Sequence, residues 1–259
     1  MSRLSKAQIK AHKEAEALLT KERLGDDERQ FVIDNWQESA SHINSASGAF
    51  FTPSELGLDA ALFLGLYDGG KVIDLCAGIG CLGLSAFWRW GHTDFDLTCV
   101  EINPEYVAIG RKLLPEAKWV CASVDSLPAD IGHFDCAISN PPFGKTAKIA
   151  SSRYSGEDDL AVVDVASDIA NFGTFILPSG SVPFEYSGQT TYRERPSRKY
   201  DRFSQITGIE LTCESIDCGV YLDQWRGVRP KVEVVSADFT ELCAARLPAQ
   251  EELFGRLAA

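Results

Sequence analysis

A glycine-rich turn lies between an apolar, strand-like run and a helix-like run. Gly78, Gly80 and Gly83 follow the pattern Gly-x-Gly-x-x-Gly, in which glycines let the backbone turn tightly and approach a ligand. Glu101 ends the next apolar run about 20 residues later, where its carboxylate can accept the hydroxyl protons of a ribose. The pattern indicates a nucleoside-binding site, and it is also found in dinucleotide sites and in plain structural turns.

Asp74 favours one of these interpretations. It precedes the first glycine by four residues, and a carboxylate there would attract a cationic amino group but repel a pyrophosphate. With the glycine turn and Glu101, it resembles the nucleoside-binding half of class I S-adenosylmethionine-dependent methyltransferases. The resemblance implies S-adenosylmethionine as the cofactor, with Asp125, after the third strand-like run, at the adenine edge. The implied cofactor-binding residues are Asp74, Cys76, Ala77, Gly78, Gly80, Glu101, Ile102 and Asp125.

A second group with chemical potential is the tetrapeptide Asn140-Pro141-Pro142-Phe143. It follows the fourth apolar run, and ligands of open α/β sheets bind at the carboxyl ends of strands. Two prolines remove N–H donors and stiffen the chain, so a rigid turn is the alternative interpretation. The tetrapeptide resembles the signature of amino-group methyltransferases that act on adenine N6, cytosine N4 or glutamine amides.

The chemistry of such a substrate explains these residue types. An exocyclic amino nitrogen is a weak nucleophile because its lone pair is delocalised, so acceptors that draw it towards tetrahedral geometry accelerate the reaction. Asn140 Oδ1 and the Pro141 carbonyl would each accept one N–H bond, while Pro142 stiffens the loop. Phe143 would offer a face on which a flipped base stacks. We predict these four residues to be catalytic, with no metal and no covalent enzyme intermediate.

An upstream element, Phe51-Thr52-Pro53, completes the predicted site. It resembles the Phe-x-Thr-Pro-like element of restriction-modification adenine N6 methyltransferases, and this resemblance implies contact with the methionine end of the cofactor. We predict that Asn140 binds the cofactor as well. The same residues also predict the start of a helix that covers residues 52–66. Thr52 would be its N-cap, Pro53 its first position, and Glu55 would complete a capping box.

An alternation of apolar runs and helical stretches would position these residues. Apolar runs predict strands at residues 72–75, 97–100, 119–122, 134–138 and 174–177. With turns and helical stretches between the first four, this is typical of an α/β fold with a doubly wound, mostly parallel Rossmann-like sheet. Residues 209–216 and 232–237 are expected to complete the sheet edge, the last strand being antiparallel. Residues 179–203 show no convincing element.

Helical patterns at residues 5–19 and 26–36 predict N-terminal covering helices, and residues 39–48 predict a loop. The chain therefore divides around one methyltransferase domain. The segments are an N-terminal helical segment, residues 1–48; the S-adenosylmethionine-dependent methyltransferase domain, residues 49–240; and a C-terminal tail, residues 241–259.

The composition indicates a globular protein. A chain of 259 residues, 45% of them hydrophobic, can bury a substantial core. Its eight cysteines lie mostly in apolar runs and lack zinc spacing, so we expect reduced thiols and no metal. The sequence shows neither a signal-peptide apolar region nor an apolar run of the about 18 residues that cross a membrane. We therefore expect a cytoplasmic protein without a membrane partner.

A net charge of -12 means that a nucleic-acid substrate would have to meet a local basic patch. Lys145 follows the tetrapeptide, and Arg195, Arg198 and Lys199 cluster later among aromatic residues. Positive charge with aromatics suits a phosphate backbone and splayed bases. We predict these four residues to bind substrate, and the alternative is a solvated loop face.

The expected reaction is methylation of adenine N6 in DNA. The Phe-x-Thr-Pro-like and Asn-Pro-Pro-Phe elements occur in this order in DNA adenine methyltransferases, which usually carry a separate recognition domain. The residues after Leu177 are too few for such a domain. RNA adenine methylation is the second interpretation, because the tetrapeptide with its basic loop also resembles small ribosomal RNA methyltransferases. Protein-glutamine methylation and a catalytically silent binding subunit are further alternatives.

The tail carries Gln250, Leu253 and Phe254 in the spacing Gln-x-x-Leu-Phe. This resembles the short peptide by which bacterial replication and repair proteins bind the DNA sliding clamp, and it implies the clamp as a partner. The apolar pair would enter a groove on that partner while the glutamine makes polar contacts. The alternative is that Leu253 and Phe254 pack a terminal helix onto the sheet.

Overall fold

The computed structural model describes residues 5–37, 50–226 and 228–242. Its strands are β1 (Gly70–Leu75), β2 (Phe95–Glu101), β3 (Lys118–Cys121), β4 (Phe134–Ser139), β5 (Ala170–Pro178), β6 (Phe184–Glu185), β7 (Arg193–Glu194), β8 (Thr212–Cys213) and β9 (Val232–Asp238). Seven form one sheet in the order β3-β2-β1-β4-β5-β9-β8, and β6 pairs with β7 separately. Strands β1 to β5 pair in parallel, whereas β9 is antiparallel to β5 and β8. The predicted doubly wound, mostly parallel sheet with an antiparallel edge is confirmed.

The helices cover both faces of this sheet. They are α1 (Lys6–Leu18), α2 (Asp26–Asn35), α3 (Ser54–Ala60), α4 (Cys81–Trp90), α5 (Pro104–Leu113), α6 (Asp158–Ile169) and α7 (Arg198–Thr207). Successive side chains of a strand point to opposite faces. Val72 of β1 accordingly shares a hydrophobic cluster with residues of α2 to α5, whereas Ile73 shares one with residues of α6 and α7. Helices α1 and α2 contribute to the first cluster, as expected of covering helices.

The centre of the sheet contains a topological switch point. Strand β1 lies between β2 and β4, with Leu75 level with Val100 on one side and Ser139 on the other. The chain first moves outwards through β2 and β3 and then returns to the opposite side of β1 as β4. Loops after β1 and β4 therefore diverge and leave a crevice at the carboxyl edge. Cys76, Glu101 and Asn140 all emerge there.

The helix predicted at residues 52–66 is shorter than expected. Its N-cap is Pro53, which makes no side-chain capping bond, and the helical part of α3 gives way to a 3-10 turn after Ala60. The predicted cap by Thr52 is wrong, because its hydroxyl accepts a hydrogen bond from Asn140, 88 residues later in the chain. The predicted cap by Glu55 fails as well, since its carboxylate accepts a bond from Gln224.

Two other predictions also differ from the structure. Residues 179–203 were expected to lack regular elements, but they contain β6, β7 and the start of α7, whose N-cap is Ser197. Helix α7 has four charged residues among its ten and buries only Phe203 and Thr207, so its apolar face is too narrow to detect in the sequence. The strand expected at residues 209–216 shrinks to β8, and the left-handed conformation of Ser215, with φ 56°, interrupts it.

The loop predicted at residues 39–48 and the clamp peptide containing Gln250, Leu253 and Phe254 lie outside the described residues. Between β3 and β4, the described residues 122–133 form turns and no helix. No helix in the described part of the chain is long and apolar enough to cross a membrane. The same described residues contain no cluster of three or more His, Cys, Asp or Glu side chains that could hold a metal ion.

Candidate active site

The crevice at the carboxyl edge of the sheet opens into a cavity of about 430 Å³. Most of the residues predicted to bind the cofactor line it. These are Phe51, Thr52, Asp74, Cys76, Ala77, Gly78, Glu101, Ile102, Asp125 and Asn140, together with Pro142. The cavity wall does not include Pro53, Gly80, Pro141, Phe143 or the four predicted basic residues.

The glycine turn holds its shape through backbone geometry. Gly78 has φ 58°, and its N–H donates to Glu101 Oε2 at 2.9 Å. A side chain at Gly78 would begin 3.1 Å from the Phe51 ring, so the turn and the upstream element pack without spare room. Gly80, with φ 97°, begins α4 and packs against Trp119. It therefore shapes the turn from outside the cavity.

Glu101 is fixed by two backbone donors. Its Oε1 accepts from Asn103 N at 2.8 Å, and its Oε2 accepts from Gly78 N. Burial raises the pKa of the carboxyl, and these two hydrogen bonds partly oppose that effect. Each carboxylate oxygen keeps a further lone pair, so Glu101 can still accept hydroxyl protons of a ribose at the cavity.

Asp74 is fully buried beneath the glycine turn. Its Oδ2 accepts from Gly83 N at 2.8 Å, which ties the end of β1 to the first turn of α4. Its Oδ1 is buried and has no hydrogen-bond partner. Desolvation raises the pKa of this carboxyl to about 8. An unpartnered buried oxygen costs free energy, and a cationic ligand group in the cavity would relieve that cost.

Asn140 is oriented by the upstream element. Its Nδ2 donates to the Phe50 carbonyl at 2.8 Å and to Thr52 Oγ1 at 3.0 Å. Both amide hydrogens are therefore used, and Oδ1 is left buried without a partner beside the cavity. An amide oxygen can only accept, so this atom can be satisfied by an N–H or O–H donor. Phe50 and Thr52 thus fix the orientation of the Asn140 side-chain amide, which is predicted to be catalytic.

The rest of the tetrapeptide is only partly in the cavity. Pro142 lines it, while Pro141 is buried behind it. Phe143 packs against Phe50, with 5.9 Å between ring centroids, and is half-buried outside the cavity wall. Stacking of a base on Phe143 remains a prediction.

Three aromatic rings form a cluster at the cavity, in which Phe51 and Tyr106 line the wall and Trp36 packs against both. Trp36, Phe51 and Tyr106 contact one another with centroid separations of 5.5 to 5.7 Å. Arg226 lies 5.7 Å from the Phe51 ring and donates to the carbonyls of Trp36 and Ile33, at the end of α2. Sequence patterns did not identify Trp36, Tyr106 or Arg226 as part of the site. Trp36 was recognised only as an apolar residue of a covering helix.

The predicted basic residues form two groups. Lys145 and Lys199 approach the same carboxylate oxygen of Glu157, at 3.7 and 3.5 Å. Arg195 instead lies 4.0 Å from Glu185 in the hairpin of β6 and β7. Arg198 is exposed in the first turn of α7. The fold therefore brings Lys145 and Lys199 together beside the tetrapeptide loop, although outside the cavity.

Comparison with known proteins supports the predicted methyltransferase fold. Residues 44–154 match the family described as the methyltransferase small domain. No curated protein sequence is significantly similar to this chain. The fold resembles a candidate class I S-adenosylmethionine-dependent methyltransferase from Listeria monocytogenes, with a TM-score of 0.57, 11% identity and coverage of 91% of this chain and 81% of that one.

Two further structures share the fold. A modification subunit of a candidate type I restriction enzyme from Vibrio vulnificus has a TM-score of 0.55 at 11% identity, over 85% of this chain and 51% of that chain. A candidate RNA methyltransferase from Pyrococcus horikoshii has a TM-score of 0.52 at 18% identity, over 87% of this chain and 97% of that chain.

Residues 44–154 match the methyltransferase small domain family, and the fold is the Rossmann-like fold of class I methyltransferases. The partial family match and the fold support S-adenosylmethionine as the cofactor. The cavity fits that molecule, since Glu101 offers acceptors for ribose hydroxyls and Asp74 Oδ1 is an unpartnered acceptor for an ammonium.

Proposed function

We propose that the protein methylates an exocyclic amino nitrogen of a nucleobase, with N6 of adenine in DNA as the first candidate. The observation that carries the proposal is the unpartnered, buried Oδ1 of Asn140. Its orientation is fixed by Phe50 and Thr52, so the site presents an acceptor where a substrate N–H must arrive.

The residues of the chain would activate this nitrogen by orientation. Asn140 Oδ1 and the Pro141 carbonyl would each accept one amino proton, which draws the nitrogen from planar towards tetrahedral geometry. The stiff prolines keep the two acceptors in place. S-adenosylmethionine, when bound, supplies the electrophilic methyl group. The proton released by the methylated nitrogen would pass to solvent.

A nucleic-acid substrate is favoured by the charges beside the loop. Lys145 and Lys199 are half-exposed or more, and they stand next to the tetrapeptide in a protein whose net charge is -12. Glu157 pairs with both ammonium groups, so one positive charge remains among these three side chains. Local positive charge is what a polyanion would need to approach this acidic protein.

RNA is the second candidate substrate, and one observation favours it. The fold similarity covers 97% of the Pyrococcus horikoshii structure but only 51% of the Vibrio vulnificus subunit, so it extends over nearly all of the candidate RNA methyltransferase. The described residues after β5 contain β6 to β9, α7 and two short 3-10 helices, and these do not form a separate recognition domain.

The substrate class can be tested by transfer of a labelled methyl group from S-adenosylmethionine. Duplex DNA, structured RNA and a protein extract would be offered in parallel, with Asn140→Ala as the inactive reference. Asn171→Ala is a matched control, because Asn171 lies at the opposite edge of the sheet, beside His133. The proposal expects label in nucleic acid that Asn140→Ala abolishes and Asn171→Ala preserves. Label only in protein would contradict it.

A further inference from the structure

The loop that follows the tetrapeptide also forms a wall of the cofactor cavity. Ala147 and Ile149 line the cavity, although sequence patterns gave no reason to include them. Ala150 N donates to Asp125 Oδ2 at 3.3 Å, and Asp125 lines the cavity on the predicted adenine side. One short loop therefore connects the predicted substrate acceptors to the nucleoside end of the site.

Two carboxylates at the start of α6 hold this loop. Asp158 Oδ2 accepts from Ala147 N at 2.8 Å, and Asp158 Oδ1 accepts from Ile149 N at 2.9 Å. Asp159 Oδ1 accepts from Gly144 N at 3.2 Å, directly after the tetrapeptide. Both aspartates are almost completely buried. Their location in the first helical turn is electrostatically favourable, because the helix N-terminus carries partial positive charge.

We propose that Asp158 is a positioning residue for methyl transfer. By binding the N–H groups of Ala147 and Ile149, it would hold the loop in the conformation that forms the cofactor wall and aligns the tetrapeptide. The inference rests on the proposed function only in assuming that the tetrapeptide receives the substrate. Asp158 itself does not line the cavity, so it would act through the loop.

The same helix provides a matched control. Asp164 is also fully buried, and its Oδ2 accepts from Arg153 N at 3.1 Å and from Tyr154 N at 3.2 Å. It therefore fixes two consecutive amides of the next part of the loop, and neither Arg153 nor Tyr154 lines the cavity. A purely structural role for Asp158 predicts that its loss resembles the loss of Asp164.

The experiment compares Asp158→Asn with Asp164→Asn in the full chain. Each change replaces one acceptor oxygen by an N–H donor, so both variants should lose thermal stability. For Asp158→Asn we expect the Kd of S-adenosylmethionine, measured by calorimetry, to rise about fivefold or more, the scale of removing one hydrogen bond. Its kcat at saturating cofactor should also fall. For Asp164→Asn both values should stay within about twofold. Equal changes in both variants would overturn the proposal.

Hydrogen exchange of the unmodified protein gives a second test that does not depend on the folding of a variant. If Asp158 preorganises the loop, the amides of Ala147 and Ile149 should be protected before cofactor is added. Exchange as fast as in an unstructured peptide would overturn the proposal. Cofactor affinity and exchange are measured without any substrate, so they remain decisive even if the methylated group proves not to be a nucleobase.

Discussion

The cavity is lined by two residues that each have a buried oxygen without a hydrogen-bond partner, and the two oxygens differ in chemistry. Asp74 Oδ1 belongs to a carboxyl whose pKa is raised to about 8, so a proton can satisfy it when no ligand is bound. Asn140 Oδ1 belongs to an amide, which does not take up a proton near neutral pH. Asp74 can therefore adjust to pH, whereas Asn140 depends on a donor from the ligand.

The largest expected effect is the loss of turnover when Asn140, whose amide oxygen cannot be protonated, is replaced. Asn140→Ala should lower kcat by about 10²-fold, the scale of losing a transition-state hydrogen bond. The Kd of S-adenosylmethionine should stay within a few-fold, because Asn140 is expected to contribute mainly at the substrate end. Near-normal turnover, measured with labelled cofactor, would show that Asn140 Oδ1 does not accept the substrate N–H in the transition state.

Replacing the carboxyl of Asp74 should instead change cofactor binding. Asp74→Asn keeps the size of the side chain but cannot ionise, so we expect the Kd of S-adenosylmethionine to rise about tenfold at pH 8, the scale of losing a charged hydrogen bond. Calorimetry would measure this value, and CD would confirm that the variant is folded. An unchanged Kd would show that the ammonium of the cofactor is held elsewhere.

The unmodified protein and Asp74→Asn should differ in how their thermal stability and cofactor affinity depend on pH. The pKa of Asp74 is raised from 3.8 to about 8 in the folded protein, so its contribution to stability is complete below 3.8 and is lost as pH rises through 8. Between pH 6 and 8 the Tm of the cofactor-free protein should therefore fall more than that of Asp74→Asn, while its affinity for the cofactor should rise. Glu101 is present in both proteins, and its charge is one of the causes that raise the pKa of Asp74. If the Tm of the two proteins changes with pH in the same way, Asp74 does not titrate in this range and the proposed difference between the two oxygens is wrong.

A smaller effect should follow from loosening the amide of Asn140. Thr52→Val removes the hydroxyl that accepts from Asn140 Nδ2, and Thr52→Ser retains it. We expect Thr52→Val to lower kcat by about fivefold, consistent with the loss of one hydrogen bond, and Thr52→Ser to lower it much less. If both variants behave alike, the hydroxyl does not orient the amide.

The sequence predicted the parts of this site that depend on local patterns. The strands, the glycine turn, Asp74, Glu101 and Asn140 follow from residue types over short stretches, and Asp74, Gly78, Glu101 and Asn140 line the cavity. Thr52 was predicted as a helix cap because a capping pattern is local, whereas its actual partner is 88 residues away. Trp36, Tyr106, Arg226 and Asp158 were missed for the same reason, since only the tertiary fold brings them to the site.

The smallest expected effect lies outside the cavity. Replacing Lys145 and Lys199 together by Ala should weaken nucleic-acid binding and reduce its log–log salt slope by about one unit for each phosphate that is no longer neutralised. Arg195→Ala is the control, because this residue lies in the separate hairpin beside Glu185. Cofactor affinity should be unchanged in both variants. A salt slope that stays constant would show that the two lysines do not meet the substrate backbone.

The identity of the methylated atom tests the central claim most directly. After reaction with S-adenosylmethionine, the nucleic-acid product would be digested to nucleosides and analysed by mass spectrometry beside a protein digest. The unpartnered Oδ1 of Asn140 predicts a methyl group on an exocyclic amino nitrogen, with N6-methyladenine as the product. N5-methylglutamine in protein, or a base methylated at carbon with its amino group unchanged, would contradict this account.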